Sequence, residues 1–260
     1  SNLGVEGIML LGAFAGFYTT LITDNLWLGL LAAIIVGGLM GVAVAFINVT
    51  LKAEQGISGI GVFLFGLGMS ELLFQKTLGT VETVSGFSDV YIPFLSDIPI
   101  LGEIFFQQSL LVYIAYIMVP ISWFVLGKTT LGLKIRAVGE NPEAADSLGV
   151  SVTGVRYATQ IFGGIMSGVA GASLSIALLN VFQQGMTAGL GFIAVALVYF
   201  GGWRPLGVLV GSLIFSMVNA LQLWVQVLEL PIPSDIAVMM PYVTPFVALM
   251  VWTSAPINCV

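Results

Sequence analysis

The chain has 260 residues, of which 58% are hydrophobic and 8% charged, with a net charge of −6 and a mean hydropathy of +1.07. A water-facing domain carries about 25% charged residues, so lipid must cover this surface, and the expected fold class is an all-α, polytopic transmembrane helical bundle. The absence of histidine and the single Cys259 exclude zinc sites, Cys-His chemistry and disulfide scaffolds, and seven Lys and Arg gathered mainly in one loop make no nucleic-acid face.

In chain order, Ser1 follows neither an initiator Met nor a charged n-region, so further native sequence is expected before it. A crossing needs about 20 apolar residues. The expected spans are 8–22, 26–51, 57–74 and 109–126, the last with a kink at Pro120. Between the third and fourth lies a long loop carrying Glu82, Asp89, Asp97 and Glu103, where Pro93 and Pro99 argue against one continuous helix. After a polar island at 128–156, the fifth span is 157–179 and is rich in small residues that allow close helix approach. Gly189 to Gly202 is too short for a comfortable crossing, so it is either a short buried span or a half-helix dipping into the membrane. Spans at 206–227 and 236–252 bring the total to about eight membrane segments.

The island 128–156 holds Lys128, Lys134, Arg136 and Arg156, four of the seven cations, and the positive-inside rule places it in the cytoplasm. Lys52 then also falls inside and the acidic loop outside, and Arg204 falls inside if Gly189 to Gly202 crosses. Gly127-Lys128-Thr129-Thr130 is not a phosphate-binding loop, because Ser122 stands where that motif needs glycine and a membrane span stands where it needs a strand. Within the island a helix of about two turns is predicted, standing alone between two spans. Asn141 is its N-cap, Pro142 its first residue, Glu143 faces the positive helix end, and Gly149 is the left-handed stop. So short a helix cannot bury a core of its own and needs a partner outside the chain.

Glu143-Ala144-Ala145, three residues, then Gly149 resembles the cytoplasmic-loop motif of permease subunits of ATP-binding-cassette importers. The stretch 132–145, the block Asn2 to Gly7, the late block Gly191 to Gly207 and Pro241-Tyr242 resemble the branch handling branched-chain amino acids, simple sugars and nucleosides. They look most like the nucleoside and simple-sugar permeases that work with basic-membrane-protein-type binding lipoproteins. The resemblance implies a single permease domain over 1–260 in the bacterial cytoplasmic membrane. It also implies a second permease subunit, often a different chain, two ATPase subunits below and an extracytoplasmic substrate-binding protein above. This chain would bind no cofactor, since ATP and magnesium belong to the ATPase. Asn141 to Gly149 would couple to that ATPase, with Lys134 and Arg136 either touching it or serving as positive-inside anchors. A branched-chain amino acid permease is an alternative within the family. A secondary transporter or channel is an alternative outside it, while a membrane enzyme lacks any catalytic constellation here.

Polar residues inside spans are the candidates for a translocation path. Glu6 either lines that path or caps a helix start with its carboxylate. Glu71, near the end of its span, favours snorkelling to the interface. Asn48, Asn180 and Asn219 can meet a polar solute or hold helices together, and Phe192 and Trp203 can stack on a base or sugar or serve packing and belts.

Overall fold

The structure is a computed structural model that describes residues 2–87, 89–91 and 107–227. The span expected at 236–252, Pro241-Tyr242 and most of the acidic loop lie outside the described residues. Backbone contacts divide the chain into residues 1–191 and 192–260, and each unit is described by itself.

The first unit opens with α1, Val5–Thr23, which ends where Asp24 turns left-handed. The Asn25 side chain starts α2, Leu26–Ala45, by accepting the amides of Trp27 at 3.0 Å and Leu28 at 3.3 Å. A π-helical turn, Phe46–Thr50, extends α2. Then follow α3, Gln55–Thr77, and a two-stranded antiparallel ribbon of β1, Asp89–Tyr91, and β2, Gln107–Ser109, with Asp89 opposite Ser109. Helix α4, Leu110–Lys128, contains Pro120. Two shorter helices come next, α5, Thr130–Glu140, and α6, Pro142–Ser147, before α7, Val152–Ser173, which ends in a second π-helical turn, Leu174–Leu178. Helix α8, Leu190–Phe200, begins at the end of this unit. The second unit holds the rest of α8 and α9, Pro205–Val227.

The short helix of the island is not alone, which corrects the sequence-based expectation. Reading the island by its charges hides the apolar side of α5, where Gly132 and Val138 are buried and Ile135 is half-buried. Thr129 caps α5 by accepting the amide of Gly132 at 3.2 Å. Gly132 lies so close to α4 that a Cβ there would meet the carbonyl of Val125.

Six helices among the described residues are long and apolar enough to cross a membrane: α1, α2 with its π turn, α3, α4, α7 with its π turn, and α9 as far as Trp224. Of the apolar stretch of α1, 67% is buried, against 33% for α2, 28% for α3 and 6% for α4, so α1 is the centre of the first unit. Small residues let its neighbours close on it. A Cβ on Gly12 would stand 2.5 Å from Gly168 of α7, and one on Gly37 of α2 would stand 2.5 Å from the carbonyl of Gly164. Lipid gives no hydrophobic drive to associate, so this backbone-to-backbone packing supplies the contact. An aromatic cluster of Phe14, Phe17, Phe74 and Phe182 fills one end of the core.

Candidate functional site

The most constrained polar group of the first unit is Glu6. It is 3% exposed at the start of α1, where the backbone of the adjacent Gly7 abuts Val62, Phe63 and Gly66 of α3. Gly66 is the middle residue of α3, so Glu6 sits deep in the bundle rather than at its rim. One carboxylate oxygen accepts the Thr187 hydroxyl at 2.6 Å and the Gly189 amide at 2.8 Å, and the other accepts the Gly191 amide at 2.5 Å. Glu6 therefore caps a helix start, that of α8 rather than its own. The free amides at an α-helix N-terminus carry partial positive charge, which a carboxylate complements.

The segment entering this cap is irregular. Asn180 has a φ of 56° and Gly189 one of 85°, and tight turns join Gln183 to Met186, Gly185 to Ala188 and Thr187 to Leu190. Phe182 and Thr187 are fully buried, whereas Gln183, Gln184 and Gly185 are exposed. Gly189 and Gly191 open the glycine-rich segment and block that the sequence marks, but Thr187 has no local signature and only the fold brings Glu6 to all three.

The other path candidates of the first unit do not gather around Glu6. Asn48 lies in the π turn after α2 and accepts the Ser58 hydroxyl at 2.5 Å. Glu71 is exposed on α3, with Gln75 Nε2 at 3.5 Å. The backbone carbonyl of Asn180 accepts the Val84 amide at 3.0 Å, while its side-chain oxygen is buried without a partner among the described residues. In the second unit, Asn219 is exposed on α9, Phe192 is 37% exposed, and Trp203, at a φ of 60°, packs edge-on to Tyr199 at 5.0 Å.

The loop helix α6 carries the second candidate set. The Asn141 side chain accepts the Ala144 amide at 3.0 Å, with Pro142 as the first helical residue. At its other end the amide of Gly149 reaches the Asp146 carbonyl at 2.8 Å and that of Val150 the Ala145 carbonyl at 3.1 Å. This pair of bonds is a Schellman motif, which needs the left-handed φ of 79° that Gly149 provides. Ala145 is buried at 3% exposure, so α6 is anchored by one small side chain. Glu143, Ala144 and Gly149 are exposed, as are Lys134 and Arg136 of α5, and Leu148 is 84% exposed. Leu148 thus adds an apolar side chain to the exposed side of this doubly capped turn.

A family model for the permease component of branched-chain amino acid transport systems matches residues 1–250. A putative glucose ABC transporter permease protein of Haloferax volcanii is 44% identical, over 88% of this chain and 70% of its own length. A nucleoside ABC transporter permease protein of Lactococcus lactis and a guanosine ABC transporter permease protein of Bacillus subtilis are each 35% identical, over 95% of this chain and 82% of their own. No solved structure matches. With six membrane-length helices and a family match over nearly its whole length, the chain is a multi-pass protein of the cytoplasmic membrane and belongs to the permease-component family of branched-chain amino acid transport systems.

Proposed function

We propose that this chain is the membrane-spanning permease subunit of an ATP-driven importer for a nucleoside or simple sugar. The observation that carries the coupling part is the rigid helix α6, capped at both ends and presenting Glu143, Ala144, Leu148 and Gly149 to the outside. Its exposed surface fits a groove on an ATPase subunit, and its single anchor at Ala145 ties any push to α5 and α7. Lys134 and Arg136 flank that surface. The solute class is carried over from the relatives named above, which are permease proteins for glucose, nucleosides and guanosine.

In this reading the island 128–156 faces the cytoplasm within a single permease domain, and two ATPase subunits, which bind ATP and magnesium, supply the energy. A second permease chain completes a heterodimer, and a substrate-binding protein delivers the solute from outside. The chain is then a transporter subunit and not an enzyme, and works by alternating access. Of the eight expected segments, Gly189 to Gly202 is the half-helix dipping into the membrane, with α8 as its helical part.

The test is co-expression of the full-length chain with its neighbouring genes, followed by affinity purification and uptake assays with labelled guanosine, glucose and leucine. An ATPase subunit should co-purify, and guanosine or glucose should accumulate only while ATP is available. Uptake without any ATPase, or of leucine alone, would replace this reading with a secondary transporter or an amino acid permease.

A further inference from the structure

We propose that Gln183 and Gln184 line the solute's path and hydrogen-bond it there, an inference that rests on the transport function just proposed. The irregular segment that carries them has its two ends at different depths of the first unit. Phe182 packs on Phe14, Phe17 and Phe74, with ring centroids 5.4, 6.3 and 5.7 Å away. Thr187, Gly189 and Gly191 instead meet Glu6, whose neighbour Gly7 abuts Gly66 in the middle of α3. Phe74 stands eight residues beyond Gly66 on α3 (74 − 66), which is about 12 Å along the axis at 1.5 Å per residue. The segment thus descends alongside membrane-length helices instead of lying above them.

Irregular backbone at that depth is tolerated only where protein buries it or where it lines a water-filled cavity. On one side protein does bury it, since Phe182 and Thr187 have no exposure to speak of. On the other side Gln183, Gln184 and Gly185 are open, and neither glutamine side chain is hydrogen-bonded to another described residue. Two adjacent free amides cannot face hydrocarbon, and their position beside the broken, glycine-rich turn matches where transporters place a solute. A primary amide offers two donors and one acceptor without charge. That chemistry suits hydroxyl groups and the edges of a nucleobase, so the ligand class is an uncharged polyhydroxylated or heterocyclic solute.

Cysteine accessibility tests this in the full assembly. Cys259, the chain's one cysteine, is replaced in a C259S parent, and Q183C, Q184C and, as a control at an exposed apolar position of α2, L39C are introduced singly. Membranes holding the complete transporter are treated with a trimethylammonium methanethiosulfonate, with and without saturating guanosine or glucose. Q183C and Q184C should react at least tenfold faster than L39C, and the transported solute should slow them several-fold. The Q183A/Q184A pair should lose at least tenfold in uptake at unchanged membrane abundance, with partial recovery in Q183N/Q184N. Rates equal to L39C while the parent still takes up solute would overturn the path assignment alone and place these amides against lipid or another subunit. Fast labelling without solute protection, or full uptake by the double alanine variant, would overturn the contact. Fast labelling of both Q183C and Q184C in a background whose C259S parent imports neither guanosine nor glucose would instead sink the transport reading and leave a water-lined path standing.

Discussion

The Gly191 amide donates to a Glu6 carboxylate oxygen at 2.5 Å, and a Cβ on residue 191 would lie 2.6 Å from that same oxygen and 2.7 Å from the Glu6 Cα and N. Two helix starts meet here at backbone distance, with one carboxylate serving both Thr187 and the first turn of α8. The hydrogen bonds and the missing side chain are parts of one constraint.

Glu6→Ala leaves the buried Thr187 hydroxyl, the buried Gly191 amide and the part-buried Gly189 amide without their acceptor. At about 1–3 kcal/mol for each unsatisfied buried donor, the variant should lose several kcal/mol of stability. Glu6→Gln retains one oxygen for Thr187 and Gly189 but turns an NH2 toward the Gly191 amide, so its loss should be about one such group. Gly191→Ala pushes a methyl into backbone that cannot swing aside, at an overpacking cost of about 1–3 kcal/mol. Thermal unfolding of the purified protein in detergent should rank Glu6→Ala well below Glu6→Gln, with Gly191→Ala near the latter. A wild-type melting temperature in Glu6→Ala would show that the cap does not hold the structure.

The packing of α1, α2 and α7 makes a second, sharper contrast between two glycines of the same helix. A Cβ on Gly168 would meet the Ala33 carbonyl at 2.5 Å and the Gly37 Cα at 3.0 Å, whereas one on Gly163 meets nothing within 4 Å. Gly168→Val should therefore separate the three helices and deplete folded protein from membranes. Gly163→Ala exchanges a poor helix former for the best one, worth up to about 1 kcal/mol, and should be neutral or mildly stabilising. Fluorescence-detected size exclusion of detergent extracts reads both, and equal profiles for the two variants would refute the close-packed seam.

Much of the fold is legible in the residues because lipid makes composition decisive: long apolar runs bounded by polar loops must be crossing helices. The capping chemistry of Asn141, Pro142 and Gly149 is equally local, and the structure carries it out bond by bond. What escapes reading is non-local. Helix α5 is hidden because Lys134 and Arg136 dominate its composition while its buried side rests on Gly132 and Val138. The partners of Glu6 lie more than 180 residues away, at Thr187 to Gly191. The π turns at Phe46–Thr50 and Leu174–Leu178 carry no sequence mark at all.

The last prediction separates anchoring from coupling within α6. Ala145 is buried at 3% exposure in α6, and Leu148, three residues on at the helix C-cap, is open at 84%. Ala145→Asp forces a carboxylate into the contact between α6 and its neighbours, so it should destabilise the loop and lower the amount of folded protein. Leu148→Asp changes a side chain that is 84% exposed, so folding should be unchanged, but it places a charge on the surface offered to the ATPase. Glu143→Arg should behave likewise. Gly149→Arg adds a strain of about 1 kcal/mol for a left-handed non-glycine residue yet leaves the protein in the membrane. In proteoliposomes carrying the full transporter, Leu148→Asp, Glu143→Arg and Gly149→Arg should each abolish solute-stimulated ATPase activity and uptake at wild-type protein levels. Asn141→Ala, which costs the cap bond of about 1 kcal/mol, should give only a partial loss. Normal coupling in Leu148→Asp together with normal coupling in Glu143→Arg would remove α6 from the ATPase contact and leave it a structural turn between α5 and α7.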